Sequence, residues 1–196
     1  MNDAELLRYS RQLMLPGFDV AGQEALLAST VLIVGLGGLG SPVAMYLAAA
    51  GVGKLILADS DVVDLSNLQR QIIHKNRNIG MNKTLSAQQS IQELNAAVQV
   101  ELIQTRLSGE QLQLAVAASN AVVDCTDNFS TRFALNEVCW KQKVPLISAA
   151  AIRMEAQLSV FDARNSSSPC YNCLYSEGSD ADLSCAENGV MSPMVG

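Results

Sequence analysis

The chain has 196 residues, of which 49% are hydrophobic and 5% aromatic, and its formal net charge is −6. This composition supports one domain with a large aliphatic core, and the acidic balance argues against nucleic-acid binding. Residues 25–53 carry no charge. A membrane-spanning helix needs about 20 continuous apolar residues, and turn residues interrupt this segment before that length is reached. The acidic N-terminus does not resemble a signal peptide, so we expect a cytoplasmic protein.

The predicted elements alternate along the chain between helices and strands, which is typical of an α/β fold. The sequence predicts helices over residues 4–15, 22–28, 41–50, 83–95 and 130–142, and one that starts at a capping-box pattern over 108–111. It predicts strands over residues 31–34, 54–59, 98–103, 121–125, 145–150 and 157–161. We therefore expect a Rossmann-like, mostly parallel sheet with helices on both faces.

The expected layout is a single nucleotide-binding domain over residues 1–196. It has a helical segment over 1–29, a Rossmann-like core over 30–150, and a segment over 151–196 with a strand and a cysteine pair. Two helices carry specific apolar positions. In the first helix these positions are Leu6, Leu7, Leu13 and Met14, and in the helix over 83–95 they are Leu85, Ile91 and Leu94.

A glycine-rich stretch follows the first predicted strand, which is apolar throughout, as strands buried on both faces are. Its glycines fit the pattern G-x-G-x-x-G with one glycine added: Gly35, Gly37, Gly38 and Gly40. Between a strand and a helix, such a turn lets backbone amides approach a phosphate at the positive end of the helix dipole. The sequence therefore predicts a nucleotide site here. The alternative is a glycine-rich turn with only a structural role.

Charged and amide side chains follow the predicted strands. Asp59 ends the second strand, about where the ribose-binding acid of a nucleotide fold lies. Asn67, Arg70 and Lys83 come after it, and Asp127 follows the fourth strand. Two cations, an amide and a carboxylate at one sheet edge suit a triphosphate with Mg²⁺ better than a dinucleotide. The alternatives are ordinary solvated charge for the two cations and a helix N-cap for Asp127.

Taken together, the motifs resemble those of the MoeB/ThiF/HesA family, bacterial relatives of ubiquitin-activating enzymes. They occur in the family's order and cover essentially the whole chain. The motifs are the segment 35–42, Asp59 with Asp61, the segment 66–71, Lys83, the segment 124–128, and Cys170 with Cys173. The segment 150–155 looks more like the MoeB branch, which serves molybdopterin synthase.

The resemblance implies an ATP-dependent adenylyltransferase. Such enzymes adenylate the C-terminal glycine of a ubiquitin-like sulfur carrier protein ending in Gly-Gly, MoaD-like or ThiS-like, and release pyrophosphate. The adenylate then reacts with a sulfur donor, such as a cysteine desulfurase, in molybdopterin or thiamine biosynthesis. Two alternatives from other classes stay open: an NAD(P)-dependent Rossmann oxidoreductase and a non-catalytic scaffold subunit of an activating enzyme.

Matching motif to motif gives each position an expected role. The glycine loop lets ATP approach, and Asp59 binds its ribose. The phosphates are expected to contact Ser66, Asn67, Leu68, Gln69, Arg70 and Lys83. Asp127, with Asn128 beside it, is expected to hold Mg²⁺ near the α-phosphate. The resemblance also implies that Arg11 reaches into the ATP site of a partner subunit, which implies a homodimer.

The cysteines divide into three groups. Cys170 and Cys173 form one Cys-x-x-Cys pair, which is half of a tetrahedral zinc site. The family's second pair lies farther downstream, so we expect a truncated chain with an incomplete zinc site; the alternative is two free cysteines. Cys185 matches a cysteine that some ThiF-like members use in sulfur transfer. Cys125 and Cys139 are expected to be small core residues.

Overall fold

A computed structural model describes residues 1–175 and 190–191 and places six strands of this part in one sheet. The strands are β1 (Thr30–Val34), β2 (Lys54–Ala58), β3 (Gln99–Ile103), β4 (Ala121–Asp124), β5 (Leu146–Ile152) and β6 (Glu155–Phe161). The sheet order is β3-β2-β1-β4-β5-β6. The first five strands are parallel, and β6 pairs antiparallel with β5. The predicted Rossmann-like, mostly parallel sheet is confirmed.

Helices flank the sheet in the described part of the chain. They are α1 (Asp3–Arg8), α2 (Ser10–Leu13), α3 (Asp19–Leu27), α4 (Gly40–Ala50), α5 (Lys83–Leu94), α6 (Gly109–Ala117), α7 (Phe129–Gln142) and α8 (Tyr171–Leu174). Short 3-10 turns at Leu65–Asn67 and Asn76–Asn78 lie between β2 and α5. Among the described helices, none is long and apolar enough to cross a membrane.

The core lies on both faces of the sheet because β1 sends successive side chains to opposite sides. Leu32 and Val34 join the cluster that α6 and α7 complete with residues such as Val116 and Leu135. Val31 and Ile33 join the cluster against α4 and α5. The prediction of a strand buried on both faces is therefore confirmed.

The strand order places two loops side by side that are far apart in the chain. β1 pairs with β2 on one side and with β4 on the other. Successive strands are therefore added on one side of β1 up to β3 and on its other side from β4 onward. At such a switch point a crevice opens beyond the carboxyl ends of the two central strands, here β1 and β4. The glycine loop follows β1, and the segment 125–128 follows β4.

The N-terminal prediction of one helix over 4–15 is wrong, because the helix breaks between α1 and α2 at Tyr9. Tyr9 is 2% exposed, and its hydroxyl accepts a hydrogen bond from Asn95 Nδ2 at 2.9 Å. Its ring also fills the space beside Gly51, where a Cβ would lie 2.6 Å from a ring carbon. The break therefore lies at the residue whose ring makes these buried contacts. Leu7 and Met14 remain largely exposed.

Two further local predictions are wrong, the first of them in part. In α5, Ile91 is fully buried as predicted, but Leu85 and Leu94 are exposed, and Ala87 packs in the same cluster as the small residues Ala44 and Ala48 of α4. The capping box at the start of α6 does not form: Ser108 makes no side-chain cap hydrogen bond. The Gln111 side chain instead contacts the hydroxyl of Thr105, which precedes the helix.

Candidate functional site

A cavity of about 850 Å³ opens at the carboxyl ends of β1, β2 and β4. The position is the one expected for a ligand site in an open α/β sheet. Its wall brings together eight residues predicted for the site: Gly35, Gly37, Gly38, Asp59, Arg70, Lys83, Asp127 and Asn128.

The glycines of the loop after β1 differ in what their missing side chains permit. Gly35 has φ +89°, and a Cβ there would lie 2.7 Å from the Cys125 carbonyl oxygen. A Cβ at Gly40 would lie 1.9 Å from the Gly35 carbonyl oxygen. These two glycines are needed for close backbone packing, whereas a Cβ at Gly37 meets only Gln71 Nε2, at 3.6 Å, and faces the cavity. A purely structural turn explains the first two positions and leaves the third unexplained.

The loop also presents unpaired backbone donors. Gly37 and Gly38 line the cavity, and within residues 1–175 and 190–191 no hydrogen bond takes up their N–H groups. The carbonyl oxygen of Gly37 is occupied by Ser41, which donates both its N–H and its hydroxyl. Free N–H groups just ahead of a helix are suited to binding an anion, and the helix dipole favours negative charge there.

Asp59 lies at the end of β2, and backbone donors hold its carboxylate. Its Oδ2 accepts from the N–H of Leu36 at 2.7 Å, and its Oδ1 accepts from the N–H of Asp61 at 2.8 Å. Burial raises the pKa of Asp59 above its usual value, against the opposing charge of Lys83 and the two backbone hydrogen bonds. The carboxylate therefore supports the glycine loop as well as facing the cavity.

The two predicted cations approach the cavity from different elements. Lys83 is the first residue of α5 and is nearly buried, and its Nζ donates to Asp61 Oδ2 at 2.8 Å. Arg70 follows the 3-10 turn at Leu65–Asn67, and its Nη1 donates to the carbonyl oxygen of Ser66 at 3.1 Å. Both side chains lie on the cavity wall. Lys83 is buried, so solvated surface charge does not describe it, whereas Arg70 is half-buried.

Other members of the polar segment before Arg70 do not line this cavity. These residues are Ser66, Asn67, Leu68 and Gln69. Asp64 caps the 3-10 turn by accepting from the N–H and the hydroxyl of Ser66. In the described structure this segment holds the turn that presents Arg70.

Asp127 and Asn128 follow β4. The proposed alternative that Asp127 is a helix N-cap is wrong, because Asn128 caps α7: its Oδ1 accepts from the N–H of Thr131 at 3.0 Å. Asp127 is exposed, and no hydrogen bond or ion pair to its carboxylate occurs within the described residues. An unpaired carboxylate in a cavity is a suitable ligand for Mg²⁺.

A buried ion pair under the cavity was not predicted from the sequence. Asp124 is fully buried, and its Oδ2 accepts from Ser148 Oγ at 2.7 Å and lies 3.8 Å from Arg132 Nε. Arg132 Nη2 donates to the carbonyl oxygens of Thr126 and Ala149. These contacts tie the loop after β4 to β5. In the sequence, only an acidic residue at the end of an apolar strand pointed to these contacts. An arginine on a helix usually indicates surface charge and gave no sign of burial.

Two buried polar side chains next to the glycine loop were also missed as site residues. Gln71 is 4% exposed and lines the cavity, and its Oε1 has no hydrogen-bond partner within the described residues. A buried acceptor without a donor is costly unless a ligand supplies the donor. His74 is 5% exposed and contacts the Leu36 carbonyl and Ser86 Oγ. A single histidine in a polar stretch gives no sequence signal for such a role.

Of the remaining predicted residues, Arg11, Cys170 and Cys173 lie away from the cavity. Arg11 is exposed on α2. Cys170 Sγ and Cys173 Sγ lie 3.5 Å apart at α8, and no group of three or more potential metal ligands is found in the part of the chain that the structure describes. Cys185 lies outside the described residues. Cys125 and Cys139 are buried, which confirms them as core residues.

Comparison with known proteins identifies the family of the chain. The ThiF family profile matches residues 9–196. Molybdopterin-synthase adenylyltransferase of Escherichia coli (strain K12) is 47% identical over 196 residues, which cover 100% of this chain and 78% of that protein. Sulfur carrier protein ThiS adenylyltransferase of the same strain is 46% identical over 196 residues, with the same coverage of 100% and 78%.

A solved structure gives the same result at the level of the fold. E. coli MccB, crystallised with AMPCPP and selenomethionine MccA, aligns with 85% of this chain at a TM-score of 0.76 and 26% identity. This chain spans 51% of the length of that MccB chain. The family match and the identity to two adenylyltransferases together show that the chain belongs to the ThiF family.

Proposed function

We propose that this chain is an ATP-dependent adenylyltransferase that activates the C-terminal glycine of a ubiquitin-like sulfur carrier protein, MoaD-like or ThiS-like. One relative is named a sulfur carrier protein ThiS adenylyltransferase and another a molybdopterin-synthase adenylyltransferase, and these names support the same class of reaction for this member of the family. The product is an acyl-adenylate that a sulfur donor, such as a cysteine desulfurase, converts to a thiocarboxylate for molybdopterin or thiamine synthesis.

One observation supports this function above the others. The unpaired amides of the glycine loop, two cations and an unpaired carboxylate face the same cavity. The reaction brings together two anions, a carboxylate and a triphosphate, so positioning and charge neutralisation are the main requirements. The carboxylate of the carrier attacks the α-phosphorus, the bond to the bridging oxygen of the β-phosphate breaks, and pyrophosphate leaves. No nucleophile of the protein is needed for this step.

Each cavity residue has a proposed part in this reaction. The N–H groups of Gly37 and Gly38 bind phosphate oxygens, and Asp59 binds the ribose. Arg70 and Lys83 neutralise the charge that develops on the phosphates. Gly35 and Gly40 allow the close packing of the loop, and the segment 66–69 presents the arginine.

Mg²⁺ fits the donor set after β4, since oxygen ligands of carboxylate and amide type are those it prefers. We assign it to Asp127, with Asn128 beside it. When bound, the ion supplies charge stabilisation at the phosphates. Zinc fits the thiols of Cys170 and Cys173 as two of the four ligands of a structural site. The other two ligands are not among the described residues.

Partners follow from the same proposal. We assign Arg11 to the ATP site of a second copy of the chain, because it is exposed on α2 and outside its own cavity. The active form is then a homodimer, which we place in the cytoplasm. A role for Cys185 in sulfur transfer belongs to the step after adenylation.

The test is ATP–pyrophosphate exchange with a carrier that ends in Gly-Gly. We expect carrier-dependent exchange by the natural chain and a loss of about a hundredfold or more in Asp127→Ala and in Arg70→Ala. The matched controls are Asp162→Ala and Arg77→Ala, which remove the same residue types from ion pairs outside the cavity. Circular dichroism checks that each variant is folded.

Three outcomes would contradict the proposal or a part of it. Near-normal exchange in both cavity variants would remove the roles of Asp127 and Arg70. Binding of a nicotinamide cofactor by the natural chain, without any exchange, would favour the oxidoreductase over the adenylyltransferase. An absence of exchange despite ATP binding would favour the scaffold subunit.

A further inference from the structure

His74 lies beneath the glycine loop and contacts the peptide group that precedes Gly37. Its Nε2 is 3.0 Å from the carbonyl oxygen of Leu36, and its Nδ1 is 2.9 Å from Ser86 Oγ on α5. Both His74 and Ser86 are buried. The N–H of the same Leu36 donates to Asp59 Oδ2 at 2.7 Å. The backbone of Leu36 is therefore held on both sides by side chains from other parts of the chain.

The hydrogen-bond network assigns the tautomer of the ring. A carbonyl oxygen only accepts, so His74 Nε2 carries the proton and donates to Leu36. In the neutral ring, Nδ1 is then the acceptor and Ser86 Oγ is the donor. Ser86 thus fixes the orientation of the ring.

Peptide geometry connects this contact to the cavity. The carbonyl of Leu36 and the N–H of Gly37 belong to one planar unit, and the described chain has no cis peptide bond. In a trans peptide the C=O and the N–H point in opposite directions. Because His74 holds the carbonyl toward the protein interior, the N–H of Gly37 points away from it. Gly37 lines the cavity, and this N–H has no protein acceptor in the described residues.

We propose that His74 is a positioning residue for nucleotide binding: its Nε2–H holds the Leu36 carbonyl and so directs the Gly37 N–H at a phosphate oxygen. The inference rests on the proposed ATP site. His74 itself does not touch the nucleotide. A donor that is oriented before binding improves affinity, because the complex does not have to order the loop.

Two substitutions at one position separate the two ring contacts. His74→Gln retains a donor near the position of Nε2, whereas His74→Asn reaches Ser86 but leaves the Leu36 carbonyl without its donor. We expect His74→Asn to raise the KM and the Kd for ATP about tenfold, equivalent to about 1.4 kcal/mol. We expect kcat to stay within about twofold and His74→Gln to restore most of the affinity.

A matched pair on α5 tests the ring orientation. Ser86→Ala removes the hydroxyl that contacts Nδ1, and Ser90→Ala removes a buried hydroxyl that donates to Ile73 instead. We expect Ser86→Ala to weaken ATP binding and Ser90→Ala to leave it unchanged. Equal effects of the two changes on the Kd for ATP would contradict the proposal, since a general packing defect does not distinguish them.

Nuclear magnetic resonance gives a readout that does not depend on activity. His74 is the only histidine in the chain, so its ring signals need no further assignment. We expect the Nε2–H tautomer in the free protein and a shift of its signals on addition of Mg-ATP. An Nδ1–H tautomer, or equal Kd values for His74→Asn and His74→Gln, would overturn the inference.

Failure of this inference differs from failure of the proposed function. If the natural chain binds ATP but shows no carrier-dependent exchange, the proposed function fails, and His74 is still judged by the Kd values. If exchange occurs and the His74 variants bind ATP equally well, the function stands and the positioning role is rejected.

Discussion

Burial determines the reactivity of the cysteines in this chain. Cys125 is 7% exposed at the cavity wall, and Cys139 is 2% exposed in the core. Burial raises the pKa of both thiols, that of Cys139 to about 12, and the charge of Asp124 acts in the same direction. Both thiols therefore remain protonated at neutral pH, and the unreactive form predominates.

In zinc-free folded protein, we expect an alkylating reagent at about pH 8 to modify the exposed Cys173 and to leave Cys125 and Cys139 unmodified. Peptide mass spectrometry locates the modified residues. Labelling in urea is the control, because unfolding exposes every thiol. Modification of Cys139 at the rate of Cys173 in the folded protein would contradict its burial.

Among single residues, the sequence predicts those site residues that directly follow a strand. Asp59 and Asp127 were identified because the carboxyl ends of parallel strands meet at one edge of the sheet. The contact of His74 with Leu36 could not be predicted, since 38 positions separate the two residues and only packing brings them together. The buried position of Arg132 was hidden for the same reason.

The loop between β1 and α4 joins a packing role to a binding role. Gly40 is the first residue of α4 and touches the backbone of Gly35, whereas Gly37 faces open space in the cavity. A methyl group added at Gly40 therefore affects packing, whereas one added at Gly37 affects the cavity. The two glycines form a matched pair for substitution.

We expect Gly40→Ala to lower the free energy of unfolding by about 1–3 kcal/mol or more, because the added Cβ overlaps a carbonyl oxygen. Gly37→Ala should cost less than about 1 kcal/mol, since the methyl group enters the cavity, and should weaken ATP binding. Urea unfolding and calorimetric titration measure the two quantities. An equal loss of stability in both variants would contradict the difference in packing.

At the scale of helices and strands, hydrophobic periodicity predicts where an element occurs better than it predicts which of its residues pack against neighbouring elements. The predicted strands agree with the observed ones to within about two residues at each end. The apolar pattern of α5 selected Leu85, Ile91 and Leu94, but of these three only Ile91 is buried, and α5 also presents the small Ala87 to the cluster that it shares with α4. Likewise, a helical pattern does not reveal the break at Tyr9, which serves a contact with Asn95 far along the chain.

On the scale of the whole molecule, His74 connects folding to pH. Burial lowers the pKa of His74, the hydrogen bond to the Leu36 carbonyl opposes this, and the charge of Lys83 adds to it. The unfolded chain therefore binds the proton more tightly than the folded chain. The stabilisation by the neutral ring is present above the unfolded pKa of about 6.5 and is lost as the pH falls toward the folded value.

We expect the free energy of unfolding to fall from about pH 7.5 to about pH 5.5, with a slope of at most about 1.4 kcal/mol per unit from His74. His74→Gln should lack this component. Asp59, whose raised pKa acts in the opposite sense, is present in both proteins and cancels in the comparison. Urea unfolding at several pH values measures the difference. A difference between the two proteins that does not vary with pH would contradict the assignment.

The pairing of β1 with β4 has a consequence for the order of events in folding. Thr30 and Asn120 meet at one end of this pair across 90 positions of sequence, so the pairing is a long-range contact that closes a large loop. The glycine loop and the segment around Asp127 face each other only after that closure. During refolding, the ability to bind nucleotide would therefore appear late. It would report that the sheet is complete, and not that the first hairpins or helices have formed.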